Sequence, residues 1–457
     1  MSQCYTSQKE GSIPIHLLTP QKWPAVLKGL SSADQKWIQS WDFEAKPHQC
    51  CVLPNKEGVP SQVLYGVSEK EPLWDGACLA SQLPKDHTYR VEGLSEDTFL
   101  FFAQAWGLEH YKFSRYKTDK DDPKKTKLFV PKDSLDFLTQ KIEVSYQVRD
   151  WINTPASDLT PEAFSEIAEG ISKEHKATCH ISKGADLEKN YPMVHAVGKA
   201  SINKPFMVDM RWGKETHPKI TLVGKGVTFD TGGLDIKPPS NMLLMKKDMG
   251  GAAQALGLAD LIMRTNLPVQ LRLLLPMAEN SIGAEAFRPS DVLTSRKGFT
   301  VEVGDTDAEG RLLLADALTA ACEENPDYLI DFATLTGAAR VAVGTDITAF
   351  FSNEKGLSDA LKAASEKSQD PLWELPLWGA YASMLSSSIA DIKSCSAGGY
   401  GGATTAALFL KKFVPDSVKW AHLDLMGWNM SSKPGRPVGG EVMGLYAAYE
   451  FLKKTCR

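Results

Sequence analysis

Three short segments of this chain gather residues able to do chemistry. They read L-V-G-K-G-V-T-F-D-T-G-G-L-D-I-K (Leu222 to Lys237), K-K-D-M-G-G-A-A (Lys246 to Ala253) and G-D-T-D-A-E-G-R-L (Gly304 to Leu312). Within them Lys225, Asp230, Lys237, Asp248, Asp307, Glu309 and Arg311 fall in glycine-punctuated turns, where a strand should end or a helix begin. Carboxylates gathered at close range cannot all stay ionised unless cations lie between them. Four carboxylates from three strand-end segments offer enough oxygens for two hard or borderline cations, with one or two bridging. Two ions about 3.5–4 Å apart can share and acidify a water while polarising a carbonyl. The chemistry to expect is metal-assisted hydrolysis. It needs no histidine base, and no histidine lies between Leu222 and Arg311.

Singly, each of these residues has an ordinary explanation. Asp230 suits a turn, Asp248 a helix cap, Asp307 and Glu309 the first turn of a helix, and Lys225 and Lys237 a solvated surface. V-G-K-G lacks the spacing and the following helix of a phosphate loop. The case rests on the combination.

The elements that must position these residues are legible in the pattern. Up to about Lys132 the chain is mixed α/β. Cys51 to Val67 reads as a hairpin about an N-K-E-G turn, and Ser95 caps a helix running to Trp106. Asp133 to Ile152 has the spacing of an amphipathic helix, and Thr160 with Pro161 opens another. Beyond Ala156 strands and helices alternate: strands over Ile220–Val223, Val269–Met277, Phe299–Val303 and Tyr328–Ala333, helices over Met249–Arg264 and Arg311–Glu323. The predicted fold is α/β in two domains. Residues 1–132 form a smaller N-terminal α/β domain and 133–155 a connecting helix. Residues 156–457 form a catalytic domain with a mixed, mainly parallel sheet sandwiched by helices. In such folds a site lies beyond the carboxyl ends of the strands.

Composition narrows the class. A length of 457 residues with 43% hydrophobic and 23% charged residues is that of a soluble globular protein. A net charge of -5 gives no bulk attraction for nucleic acid or anionic membrane. The only basic strip, Lys117 to Lys127, is interleaved with aspartates and reads as a solvated loop. No signal peptide or bilayer-spanning run is visible, and the eight scattered cysteines are most simply reduced thiols, so a cytoplasmic location is expected.

The three segments resemble the signature of the leucyl aminopeptidase (cytosol aminopeptidase) family of dinuclear metallopeptidases. The family's N-T-D-A-E-G-R-L reads here Asp305 to Leu312 as D-T-D-A-E-G-R-L. N-T-P-A-S-D-L-T-P (Asn153 to Pro161) and W-A-H-L-D-L-M-G (Trp420 to Gly427) extend the likeness over most of Asp150 to Leu445. The resemblance implies an aminopeptidase that releases an N-terminal leucine or other large apolar residue from peptides. It implies two divalent ions per subunit, Mn2+ or Zn2+, on Lys225, Asp230, Asp248, Asp307 and Glu309. Asp230 and Glu309 would bridge, and Asp307 would add its backbone carbonyl. Lys225 would have to be neutral, its pKa depressed by burial and two dications. Lys237 would stabilise the oxyanion, and Arg311 would hold a bicarbonate acting as general base. Met245, Thr334 and Gly337 would line the pocket for the first side chain. A homohexamer with sites facing an internal cavity is also implied.

Two positions depart from the family pattern. Asp305 replaces the usual asparagine, and Met426 stands where alanine is common; neither removes an expected ligand or catalytic residue. Rival readings are an additional or sole DNA-binding role as an oligomer and a dinuclear phosphoesterase. The second is disfavoured because most such sites recruit histidine. Ser396 to Ala403 (S-A-G-G-Y-G-G-A) reads as a loop near the site or a plain connector.

Overall fold

The computed structural model describes residues 4–68, 74–118 and 125–456. The chain divides into two compact units, Met1–Tyr146 with Ser431–Val438 and Gln147–Met430 with Gly439–Arg457. The division falls inside the long helix Lys132–Asn153 rather than at its ends.

The first unit holds a six-stranded sheet in the order Tyr5–Thr6, Lys127–Phe129, Thr88–Val91, Ile13–Leu18, Pro60–Gly66, Cys50–Pro54. The last two form the expected hairpin, antiparallel with Cys51 opposite Leu64. Helix Glu96–Glu109 is capped by Ser95, whose Oγ accepts from the Thr98 amide. Its Phe102 and Trp106 join Tyr65, Tyr89 and Leu128 in a buried core. Of the charged strip Lys117 to Lys127, residues 119–124 lie outside the described residues, and Lys127 opens a strand.

The second unit is built on a nine-stranded sheet. Its order is Leu372–Glu374, Thr348–Ser352, Lys419–Asp424, Tyr328–Ala333, Lys219–Gly224, Gln270–Asn280, Phe206–Trp212, Thr178–Ser182, with Gly226–Asp230 paired to the far end of Gln270–Asn280. The four central strands are mutually parallel, as their near-continuous apolar runs require when both faces are covered. The flanking strands Thr348–Ser352, Phe206–Trp212 and Thr178–Ser182 run antiparallel to their inner neighbours. The predicted strand around Phe299–Val303 forms as Thr300–Glu302, but in a separate three-stranded sheet with Val292–Thr294 and Ile392–Lys393. Its burial alternates instead of running continuously, which suits a small sheet with a wet face.

Helices Gly250–Arg264 and Gly310–Cys322 are apolar almost all round and buried along nearly their whole length. They cover opposite faces of the central strands. Gly224 abuts Ala252 of the first helix, whereas its strand neighbour Val223 packs with Leu312–Leu314 of the second. The start of the first helix is drawn in closely: a Cβ on Gly251 would stand 2.1 Å from the Phe332 carbonyl oxygen. Gly251→Ala should therefore cost about 1–3 kcal/mol through overpacking, read as a lower denaturant midpoint. An unchanged midpoint would show that this helix start is not held against the sheet.

Candidate metal centre

The carboxyl ends of the central strands supply the site. Strand Lys219–Gly224 ends in Lys225, whose amide donates to Phe332 O of the neighbouring strand at 2.9 Å. The Lys225 side chain, 3% exposed, turns inward. Its Nζ lies 2.8 Å from Asp248 Oδ2, 2.9 Å from Glu309 Oε1 and 3.3 Å from Thr334 O. It reaches them past Gly310, where a Cβ would stand 2.4 Å from Lys225 Cε. Only glycine leaves that passage open.

Asp230 ends the strand Gly226–Asp230. Its Oδ1 accepts from the Gly232 amide and from Asn280 Nδ2, each at 2.8 Å. The turn-forming role open to an aspartate there is real, and it leaves Oδ2 for Lys237 Nζ at 2.8 Å. Lys237 also contacts Asp307. Gly232 and Gly233 have φ of +88° and +66°, so the turn carrying Lys237 back over Asp230 needs glycine at both positions.

Asp248 does not cap the helix that follows it; Met249 occupies that position without a side-chain cap. Asp248 Oδ1 instead accepts from the Thr334 hydroxyl at 2.7 Å, and Oδ2 faces Lys225. Glu309 sits at the N-cap of Gly310–Cys322, yet its side chain caps nothing. The Asp305-to-Glu309 turn is tied down from outside. Thr306 Oγ1 donates to Gly232 O at 2.6 Å, the Thr306 amide donates to Asp235 Oδ2 at 2.8 Å, and Asn280 Nδ2 donates to Thr306 O at 3.1 Å. Asp305, the departure from the family pattern, accepts the Asp307 amide through Oδ1 at 2.8 Å and so closes the turn.

Asp230, Asp307 and Glu309 each place a carboxylate oxygen within 4.8 Å of the others. Asp230, Asp248, Asp307 and Glu309 thus face the ammonium groups of Lys225 and Lys237, with Lys247 beside Asp248, so the acids outnumber the lysines. Burial, then the charge on Asp230, pushes Glu309 up to about 8 and Asp307 up to about 7. Lys225 pulls Glu309 the other way, but it is shared with Asp248 and does not win. For Lys225 and Lys237 burial lowers the ammonium pKa, and the surrounding carboxylates more than reverse it. Asp248 Oδ2 and Glu309 Oε1 are buried without an aligned hydrogen bond despite the nearby Lys225. Surplus charge, oxygen donors and oriented but unsatisfied lone pairs are what hard divalent cations require. The residues fit.

Arg311 is buried in the first turn of its helix. Its Nη1 donates to Ser394 O at 2.9 Å and its Nε has no partner. Burial lowers its pKa, with no carboxylate ion-paired to it to compensate. Met245 opens the turn Met245–Met249 that carries Asp248. Thr334 is buried, and its hydroxyl donates to Asp248 Oδ1 at 2.7 Å and so orients that carboxylate. Gly337 is exposed at the start of helix Gly337–Val343. Sequence reasoning missed the supports Asn280, Thr306 and Asp235, because nothing marks a residue as a tether until its partners are in place. It also passed over Lys247, which is buried beside Asp248.

Comparison with known proteins decides the family. A model of the catalytic domain of the cytosol aminopeptidase family matches residues 146–446, and one of the M17 aminopeptidase N-terminal domain matches residues 13–131. The chain belongs to the cytosol aminopeptidase family. It is thereby placed among metal-dependent aminopeptidases, which are hydrolases. A Chlamydia caviae protein named probable cytosol aminopeptidase is 43% identical over 70% of this chain, an alignment spanning 66% of that relative, just under two thirds. One from Roseiflexus castenholzii is 34% identical over 91% of this chain and 92% of its own length. The crystal structure of cytosol aminopeptidase from Coxiella burnetii superposes with a TM-score of 0.96 at 43% identity, covering 99% of this chain and all of that one. The bottromycin maturation enzyme BotP in complex with Mn does so with a TM-score of 0.87 at 29% identity, covering 98% of this chain and all of that one. No described helix of this aminopeptidase-family chain is long and apolar enough to cross a membrane.

The raised carboxyl pKa values set a pH dependence. Glu309 and Asp307 bind protons more tightly folded than unfolded. Their contribution to stability is therefore complete below the ordinary carboxylate range and is lost as pH rises through about 7 and 8. Held in chelator, Glu309→Gln should gain thermal stability relative to the parent chain between pH 5 and 8.5. A constant difference across that range would contradict the raised pKa of Glu309.

Proposed function

We propose that the chain is a dinuclear aminopeptidase releasing N-terminal leucine and other large apolar residues from peptides. The observation that carries this is the gathering of Asp230, Asp307 and Glu309 within 4.8 Å of one another, with Asp248 joined to them through Lys225. Lys225, Asp230, Asp248, Asp307 and Glu309 would hold two divalent ions, Mn2+ or Zn2+. When bound, these would supply Lewis acidity toward the scissile carbonyl and an acidified water as nucleophile. Lys225 would serve as a ligand only when neutral, a form that two dications beside it would favour by depressing its pKa.

Lys237 remains charged. It stands at the more open edge beside Asp307, whose side chain is 33% exposed, where a substrate carbonyl can approach. There its ammonium is a fixed donor for the oxyanion of the tetrahedral intermediate. Arg311 offers a buried guanidinium with an unused Nε, which suits the planar fork-to-fork holding of bicarbonate as the general base. Met245, Thr334 and Gly337 line the pocket for the first side chain, and the Thr334 hydroxyl also holds Asp248. A free α-amine could coordinate one ion while the scissile carbonyl leans on the other, which supports exopeptidase action on an amino terminus. Family membership supports a homohexamer in the cytoplasm.

Leucine p-nitroanilide and Leu-Gly-Gly should be cleaved by protein stripped with chelator and re-supplied with manganese or zinc, and not by Glu309→Ala. Lys237→Met should lower kcat by about 10²–10³, the usual loss for one oxyanion donor. Cleavage that persists in chelator, or undiminished turnover in Lys237→Met, would overturn the assignment. Sedimentation as a monomer at working concentration would overturn the hexamer.

A further inference from the structure

Beside the acidic cluster lie two cationic groups that its chemistry does not use. Lys247 shares a turn with Met245 and Asp248, is 2% exposed, and its Nζ has no hydrogen-bond partner. Arg340 lies in helix Gly337–Val343, and its Nη1 is likewise buried without a partner. The two are close enough for the Arg340 guanidinium to disfavour the Lys247 ammonium. Arg340 folds back along its helix, with Nη2 4.0 Å from where a Cβ on Gly337 would stand. Buried donors without acceptors are unfavourable, and like charge felt between two of them adds to the cost. Such an arrangement is retained where a visiting anion completes it.

The pocket proposed for the first side chain tells which anion. Met245 and Gly337 come from the same two segments, and Arg340 is one helical turn beyond Gly337, on the same face. We propose that Lys247 and Arg340 form a cationic end to the first-residue pocket, so that the chain releases N-terminal glutamate in addition to large apolar residues. This rests on the reading of the cluster as an aminopeptidase centre. The methylenes of glutamate would lie along Met245, and its carboxylate would meet the Arg340 fork and the Lys247 ammonium. Leucine ends one bond short of that depth, and aspartate is too short to combine both contacts.

The test compares kcat/KM for the aminomethylcoumarin amides of glutamate and leucine, using the manganese-loaded enzyme. The parent chain should release both and prefer glutamate to aspartate and glutamine. Lys247→Met and Arg340→Met should each lower the glutamate-to-leucine ratio by about tenfold or more, with Arg340→Lys recovering part of it. If Lys247→Met fails to fold, Arg340→Met on its surface helix carries the same test. Leucine release without glutamate release, or a ratio unmoved by both variants, would overturn the proposal. So would an effect seen only between Leu-Gly and its C-terminal amide, which would assign the cations to a downstream carboxylate. Failure with both coumarin amides would instead sink the aminopeptidase reading. The pocket would then be judged by whether L-glutamate raises the melting temperature more than L-leucine does, and whether Arg340→Met removes that difference; no difference would overturn it.

Discussion

Everything in the second unit is arranged around one electrostatic constraint: four carboxylates share a space in which two ammonium groups cannot neutralise them. Left to themselves, carboxylates so placed would take up protons or move apart. Here they cannot move apart, because each is fixed by a different element. Asp230 is held by Asn280 and the Gly232 amide, Asp248 by Thr334, and the Asp307–Glu309 turn by Thr306 and Asp235. The repulsion of like charges is thus built into the fold, at a cluster whose oxygen donors fit divalent cations.

The sheet explains how that repulsion is tolerated. Parallel central strands bring several carboxyl ends to one edge, and the two buried helices clamp them from either face. Glycine is needed at the closest approaches. Gly310 gives Lys225 its path to the acids, and Gly251 lets the helix behind Asp248 touch the neighbouring strand. A side chain at either place would shift a ligand by more than metal coordination permits. The supports are hydrogen bonds made by Asn280, Thr334, Thr306 and Asp235 and by the Gly232 amide, each fixing a different part of the cluster.

Much of this was legible in the sequence, for stated physical reasons. Strands with continuous apolar runs and helices with capping residues are local signals, and Thr160, Ser95 and the Cys51–Val67 hairpin behaved accordingly. The charged residues were legible because glycine-rich turns with several acids have few other uses. The strand near Thr300 was found but placed in the wrong sheet, since three residues carry too little pattern to specify a partner. Asn280, Thr306 and Asp235 were missed because their role is relational. Nothing in the sequence singles out Lys247, and only its burial shows that its Nζ has neither solvent nor a hydrogen-bond partner. Asp305, the departure from the family pattern, accepts the Asp307 amide and closes the turn, a contact the sequence alone does not display.

The central claim is that the excess charge of this cluster exists to hold two dications. The direct measurement is metal stoichiometry by plasma mass spectrometry after reconstitution with manganese or zinc and exhaustive dialysis. The account predicts two ions per chain in the parent protein and one or none in Glu309→Gln, whose folding is checked in parallel. A parent protein that retains no stoichiometric metal, or two ions held equally by Glu309→Gln, would contradict it.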